Sequence, residues 1–309
     1  MKIVFIGTPQ AAVSSLERLR LDGHEIVAVY TQPDRPSGRG NKITYSPVKQ
    51  CAIENGFNVY QPEKIRTAEA IELFRSHKAD AAAVVAYGRI LPETFLSAFP
   101  CGAINLHFSL LPRYRGAAPV NWAIVNGEAE TGVTTMQMDA GLDTGPILMQ
   151  RAVAIGSKET AIELMDRLSV VGAQLLSETL SGLADLKPMP QDHSRATFAP
   201  ILKRDDGLID WSMTAAEIAN RIRGFQPFPA TFTHFAGARL TVWAASVVED
   251  AGTTSPGEIT EAWGDTLIVA SGGDTALRIS ELQPEGKRRM AVRDFLNGSE
   301  IKVGDILGK

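Results

Sequence analysis

Two cysteines, Cys51 and Cys101, are all that the 309 residues contain. That is too few for a disulfide-stapled scaffold or a cysteine-based zinc site. No stretch approaches the eighteen or more uncharged apolar residues of a membrane helix. The opening Met1-Lys2-Ile3-Val4-Phe5-Ile6-Gly7 lacks the long apolar run and small-residue cleavage site of a secretory signal. Gly (27) and Pro (17) are at ordinary levels, which excludes collagen-like and proline-rich repeats. An excess of positive charge is missing too. The chain has 31 Lys and Arg against 35 Asp and Glu, a net charge of −4. Bulk electrostatic attraction to nucleic acid is thereby excluded. The expectation is a reduced, cytoplasmic, globular protein.

What is present is an ordinary folding composition, 44% hydrophobic and 21% charged. Such a chain buries enough apolar surface to offset the entropy of ordering. Its length suggests two domains, or one large one. Charge is uneven: residues 1–204 hold 21 Lys and Arg against 20 Asp and Glu, and residues 205–309 hold 10 against 15. Any nucleic-acid role must rest on local basic clusters.

The first half alternates strand and helix patterns. Strands are predicted at 2–6, 25–30, 80–86 and 102–106, and helices at 11–21, 48–55, 68–78 and 159–180. This alternation predicts a mostly parallel, Rossmann-like α/β sheet covered by helices. A polar loop separates them at 32–47. Two β-rich runs, 133–138 and 147–155, flank a Gly-Leu-Asp-Thr-Gly loop and read as a hairpin-like excursion from the sheet. Three prolines and little periodicity mark 185–206 as a linker. Thr214-Ala-Ala-Glu217 is a capping box opening a short helix. From 231 onward, short strands with Gly and Asp turns and no intervening helix predict a small, OB-like β-barrel. The expected domains are 1–184 and 207–309.

Gly7-Thr8-Pro9 follows the first strand, where a dinucleotide-binding protein carries its glycine fingerprint. Positions 9, 10 and 12 are Pro, Gln and Ala. Without glycines a pyrophosphate has no close approach to the backbone, so no NAD or FAD site is expected. Asn105 and His107 lie two apart at a strand end, so both face one side of the sheet. An amide N–H donor beside an imidazole suits oxyanion stabilisation and proton transfer; the alternative is a hydrogen-bonded strand end without chemistry. Asp139-Ala-Gly-Leu-Asp143-Thr-Gly-Pro146 holds two carboxylates in a tight loop. One of them near His107 would favour the charged imidazolium and orient the ring; the alternative is an Asx-type turn. Five histidines without His-x-x-x-His or Cys-x-x-Cys spacing give no metal site.

Taken together, Asn105-Leu-His107-x-Ser109-Leu-Leu-Pro112-x-Tyr-Arg115-Gly116-x-x-Pro119 and Asp139-x-Gly-Leu-Asp143-Thr-Gly145 resemble the signature of the 10-formyltetrahydrofolate-dependent formyltransferase family. Thr31–Gly40 with Ser46-Pro-Val-Lys49, Val85-Ala-Tyr-Gly88 with Ile90-Leu-Pro92, and a β-rich C-terminal region with Ile209-Asp-Trp211 are most similar to its methionyl-tRNA branch. The resemblance spans nearly the whole chain. It implies a catalytic trio of Asn105, His107 and Asp143. It implies folate contacts from Ser109, Leu110, Leu111 and Pro112, with Tyr87, Gly88, Arg89, Ile90, Leu91 and Asp139 lining the pterin pocket.

The resemblance also implies that loop 32–47 meets the acceptor stem of initiator Met-tRNA. Arg39 is its key side chain, with Arg35 and Lys42 beside it. Further tRNA contacts are expected from Lys203, Arg204, Arg221, Arg223, Lys287 and Arg288. The formyl donor is 10-formyltetrahydrofolate; no metal, membrane or obligate protein partner is implied. Phe108 stands where members often have Gly or Pro. Ile201 replaces an expected linker lysine, with Lys203 one step off. A formyltransferase or formyl-folate hydrolase acting on a small molecule stays open, as does a non-catalytic folate- or RNA-binding module. The basic 32–47 loop and the extra β domain favour an RNA acceptor, and the intact trio favours catalysis.

Overall fold

The computed structural model describes residues 1–37, 42–248 and 254–308. In chain order its elements begin with β1 (Lys2–Gly7), α1 (Gln10–Leu21), β2 (Glu25–Tyr30), β3 (Arg35–Ser37), β4 (Lys42–Thr44), α2 (Pro47–Glu54) and β5 (Val59–Tyr60). There follow α3 (Ala68–Ser76), β6 (Ala81–Val85), α4 (Glu93–Leu96), β7 (Ala103–His107), β8 (Arg115–Gly116), α5 (Pro119–Val125), β9 (Glu130–Gln137) and β10 (Ile147–Ala154). The long α6 (Ala161–Ser181) and short β11 (Phe198–Ala199) come next. The last elements are α7 (Ala215–Gly224), β12 (Thr231–Phe235), β13 (Ala238–Val248), β14 (Ile259–Trp263), β15 (Thr266–Ser271), β16 (Thr275–Pro284), β17 (Met290–Ala291) and α8 (Val292–Asn297). Among the described residues, no helix is long and apolar enough to cross a membrane.

The chain forms two compact units. The first comprises Met1–Pro119, Glu130–Ala154 and Met165–Ala199; the second comprises Val120–Ala129, Ile155–Leu164 and Pro200–Lys309. The stretch 185–206 is therefore not a plain tether. Up to Ala199 it belongs to the first unit, where β11 pairs in parallel with β8.

The first unit is built on a seven-stranded sheet of order β10-β9-β7-β6-β1-β2-β5. From β7 to β5 every neighbouring pair is parallel. All five residues of β6 and of β7 are buried, as expected of parallel strands covered on both faces. One core cluster gathers Val4, Ile6, Tyr30, Phe74, Val84, Phe95 and Phe99, among others. Local chemistry starts the helices. The Ser46 hydroxyl caps α2 through the Lys49 N–H at 3.2 Å, and Pro47 occupies its first turn. The β9–β10 pair is not an excursion: it forms the antiparallel edge of the main sheet. Within the polar loop, β3 and β4 make an antiparallel hairpin. Residues 38–41, and with them Arg39, lie outside the described residues.

The second unit holds an antiparallel sheet of order β12-β13-β16-β15-β14, with β17 on β16. Helix α7 opens with the expected capping box of Thr214 and Glu217. It buries Ile218 and Ile222 in the same cluster as Trp211, Leu240, Val242, Leu277, Ile279 and Leu282. Each such isoleucine contributes about 1.5–3 kcal/mol. Helix α8 is absent from the sequence reading. Its six residues bury only Val292 and Phe295, too short a pattern to declare a period.

Candidate active site

Strand β7 reads Ala-Ile-Asn-Leu-His. Alternation sends Asn105 and His107 to one face, and they are 9% and 6% exposed. The Asn105 amide makes no hydrogen bond among the described residues. Its polar atoms are not shut off from solvent, so the amide is open to a partner entering the site. His107 closes the strand at the carboxyl edge of the parallel sheet, where open α/β sheets bind ligands.

Asp143 arrives by a less direct route. Strand β9 runs antiparallel to β7, with Gln137 opposite Ile104 and Thr134 opposite His107. The 138–146 connection therefore starts near the wrong end of β7, roughly 10 Å from His107 at about 3.3 Å per residue. It folds back to bring the Asp143 Oδ2 within 3.7 Å of His107 Nδ1. Two features make the fold-back possible. Asp143 adopts a positive φ of 53°, a conformation Asp tolerates better than most residues. Gly145 passes so close to the Gln137 carbonyl that a Cβ would sit 1.8 Å from its oxygen. The Asp139 carboxylate organises the loop itself, accepting from the Gly141 N–H at 3.0 Å and the Thr144 hydroxyl at 2.7 Å.

Residues 108–116 complete the site. The Tyr114 carbonyl lies 2.9 Å from His107 Nε2. A carbonyl only accepts, so Nε2 carries a hydrogen and Nδ1 is the nitrogen that faces Asp143. At 3.7 Å the carboxylate is beyond hydrogen-bond length, and it lies against the Nδ1 side of the ring. The Gly116 N–H donates to Asp143 Oδ2 at 2.8 Å and fixes the carboxylate. Below them the buried Thr134 hydroxyl is a hub. It donates to the Ser109 carbonyl at 2.6 Å and accepts from the Leu111 N–H at 3.2 Å and Gln150 Nε2 at 2.9 Å.

The sequence-predicted trio is thus brought to one face of β7. The folate candidates divide. Ser109 and Leu111 are buried, and the Ser109 hydroxyl donates to the Arg113 carbonyl at 2.6 Å. Leu110 and Pro112 are half-buried. After β6, Tyr87 and Leu91 are buried, Gly88 is exposed and Ile90 is 73% exposed. Val85 pairs with Leu106, so this segment leaves the same sheet edge as His107. The Arg89 guanidinium donates to the Pro62 and Glu63 carbonyls, at 3.1 and 3.0 Å.

The candidate RNA residues are scattered. Arg35 begins the β3–β4 hairpin and is exposed, and Lys42 begins its return strand. Lys203, Arg204, Lys287 and Arg288 are exposed. Arg221 and Arg223 are engaged within the second unit. Arg221 donates to the Asp206 carbonyl at 2.8 Å and stacks on Phe225. Arg223 donates to the Gly156 and Glu159 carbonyls at 3.1 and 3.0 Å. Burial pushes both guanidinium pKa values down. The residues that sequence reasoning missed are Thr134, Tyr114 and Gln191. Tyr114 stands inside the quoted signature but acts through its backbone carbonyl, Thr134 acts through a buried hydroxyl, and neither Thr134 nor Gln191 has a motif partner along the chain.

Residues 1–180 match the formyl transferase family, and residues 201–300 match the formyl transferase C-terminal domain. The methionyl-tRNA formyltransferase of Alkaliphilus oremlandii is 47% identical over 311 residues, covering 100% of both chains. That of Solibacter usitatus is 48% identical, covering 100% of this chain and 99% of its own. Two solved structures share the fold. The sugar 3N-formyl transferase WlaRD, crystallised in the presence of dTDP and 5-N-formyl-THF, gives a TM-score of 0.67 at 20% identity, over 93% of this chain and 99% of its own. HypX from Aquifex aeolicus, in complex with tetrahydrofolic acid, gives 0.61 at 16% identity, over 96% of this chain and 47% of its own. With both domain matches and full-length relatives at this identity, the chain belongs to the formyl transferase family, on its methionyl-tRNA formyltransferase branch.

Proposed function

We propose that this enzyme transfers the formyl group of 10-formyltetrahydrofolate to the α-amino group of methionine esterified to initiator tRNA. The product is N-formylmethionyl-tRNA, and the place of action is the cytoplasm. The observation that carries the reading is the Asn105 amide, nine-tenths buried and unpaired among the described residues, two positions from a histidine whose Nδ1 faces Asp143.

The folate supplies an activated one-carbon unit. In the transfer, a C–N bond to the acceptor amine forms and the bond from that carbon to N10 breaks. The amine gives up one proton and N10 gains one. As the amine adds, the formyl oxygen gains negative charge. The Asn105 N–H and a charged His107 stabilise that oxygen, a service worth about 10²–10³ in rate per donor. Any proton His107 gives or takes moves at Nδ1, because Nε2 is committed to the Tyr114 carbonyl. Asp143 faces Nδ1 and fixes the direction of the ring. The backbone from Tyr87 to Leu91, the 109–112 stretch and the Asp139–Asp143 loop hold the folate.

The acceptor's RNA is assigned to Arg35, Arg39 and Lys42 and to the exposed Lys203, Arg204, Lys287 and Arg288. Arg221 and Arg223 already hold carbonyls of their own unit, so they serve the fold. Arg39→Ala is expected to raise KM for Met-tRNA while leaving folate binding intact. Phosphate contacts make KM salt-dependent, with a log–log slope of about −0.9 per contact in affinity.

The test offers radiolabelled formyl-folate to the enzyme with Met-charged initiator tRNA, uncharged tRNA or an amino-sugar nucleotide. Transfer to the charged tRNA alone is expected. Label on the sugar nucleotide, or free formate with every acceptor, overturns the RNA acceptor in favour of a small-molecule transferase or a hydrolase.

A further inference from the structure

The stretch 189–199 has almost no regular structure and lies where the sequence predicts a linker, yet it is stitched to the segments that hold His107 and Asp143. Met189 exchanges both backbone hydrogen bonds with Ile147, each 2.8 Å. Thr197 accepts the Tyr114 N–H on its hydroxyl at 2.9 Å, and its carbonyl accepts the Arg115 N–H at 2.9 Å. Ala199 accepts the Ala117 N–H at 2.9 Å. Tyr114 supplies the carbonyl that holds His107, and Gly116 supplies the N–H that holds Asp143. Both therefore hang on a strand segment pinned by residues 197–199.

Gln191 is the buried member of this strap, 6% exposed between exposed Pro190 and Asp192. Its Nε2 donates to the Asp143 carbonyl at 2.9 Å and the Gly145 carbonyl at 2.7 Å. Its Oε1 accepts from Arg115 Nη2 at 2.5 Å and Nε at 3.1 Å. The amide's direction is not arbitrary, because the arginine only donates and the carbonyls only accept. Arg115 is itself buried, 4% exposed, and meets His193 Nδ1 at 3.0 Å. Asp143 has a left-handed backbone, which persists only where its surroundings hold it. The bonds that hold it come from Gln191 on the main chain and Gly116 on the side chain.

We propose that Gln191 is a positioning residue for Asp143: through its two donated hydrogen bonds, braced by Arg115, it sets the 143–145 backbone so that the carboxylate meets His107. This inference rests on the catalytic reading of Asp143 given above. A side chain in a segment that reads as a tether thereby becomes part of the transfer machinery without touching a substrate.

The test is a double-mutant cycle measured under single turnover with formyl-folate and Met-tRNA. Gln191→Met keeps the length and loses the four bonds to Arg115, Asp143 and Gly145. Gln191→Glu keeps the acceptance from Arg115 and loses the donation to both carbonyls. Each is expected to lower kcat about ten- to thirtyfold with KM for both substrates within about twofold, since the interaction is realised at the reacting centre. In an Asp143→Asn background, either change is expected to alter kcat by less than about twofold, because the group it positions is already disabled. Wild-type kcat in folded Gln191→Glu overturns the proposal. So does a full additional loss in the Asp143→Asn background. If neither variant folds, Gln191 is a stability residue and the positioning role is overturned. A wild-type enzyme that formylates no Met-tRNA overturns the functional reading instead.

Discussion

Gly116→Ala disturbs the site without altering Asn105, His107 or Asp143. Gly116 has a φ of +119°, and a Cβ there would lie 2.6 Å from the Ala199 carbonyl oxygen. A non-glycine residue in such a conformation costs about 1–3 kcal/mol. The close contact is with backbone, so it is relieved only if β8 and β11 part or the Gly116 peptide turns. Either movement takes the Gly116 N–H away from Asp143 Oδ2, which it meets at 2.8 Å. A hydrogen bond to a charged group is worth about 1.5–3 kcal/mol. Expressed wholly at the transition state, that is about a 10–150-fold loss of kcat. The assay is single-turnover formyl transfer to Met-tRNA, read beside thermal stability. Gly23→Ala is the control. Gly23 also has a positive φ, +83°, but nothing lies within 4 Å of its added Cβ, so it loses stability and keeps activity. If Gly116→Ala retains wild-type kcat, or loses no more than Gly23→Ala, the carboxylate is not held as described.

Thr134→Val removes the hub beneath residues 109–111 and strands the buried Leu111 N–H and Ser109 carbonyl. About 2–6 kcal/mol of stability should be lost on chemical denaturation, at 1–3 kcal/mol per orphaned group, with a rise in KM for the folate. The His24 ring is buried, with both nitrogens unpaired among the described residues. Burial pushes its pKa below the ordinary histidine value. The unfolded chain therefore takes up the proton first, and the contribution of neutral His24 is present above about pH 6.5 and lost as pH falls through the lowered value. His24→Leu should flatten the decline of melting temperature between about pH 7.5 and 5; an unchanged slope assigns the acid sensitivity elsewhere.

Much of this was legible in the residues alone. Val-Phe-Ile and Ala-Val-Val runs declare buried parallel strands because both faces of such strands are covered. The Asn105-x-His107 pair is readable because a strand alternates with period two. The place of Asp143 is not readable that way. Nothing local reveals that β9 returns antiparallel and that its following loop doubles back; this follows from strand order, a long-range property. Gln191 is hidden for the same reason. Its surroundings, Met-Pro-Gln-Asp-His-Ser, are polar and aperiodic, and its partners lie some 46 to 76 positions away. Arg221 and Arg223 show a further limit. Two basic residues on a short amphipathic helix read as an RNA-facing pair, and the structure adds what the sequence does not show: Arg221 donates to one backbone carbonyl and Arg223 to two.

The central claim is that an amide, an imidazole and a carboxylate on one face of β7 carry the transfer together. Its most direct measurement is kcat for formylation of Met-tRNA by Asn105→Ala, His107→Ala and Asp143→Ala, each with folate affinity measured in parallel. A loss of about 10²–10³ in kcat for each, with folate still bound, is expected. Near-wild-type turnover in the three variants contradicts the account.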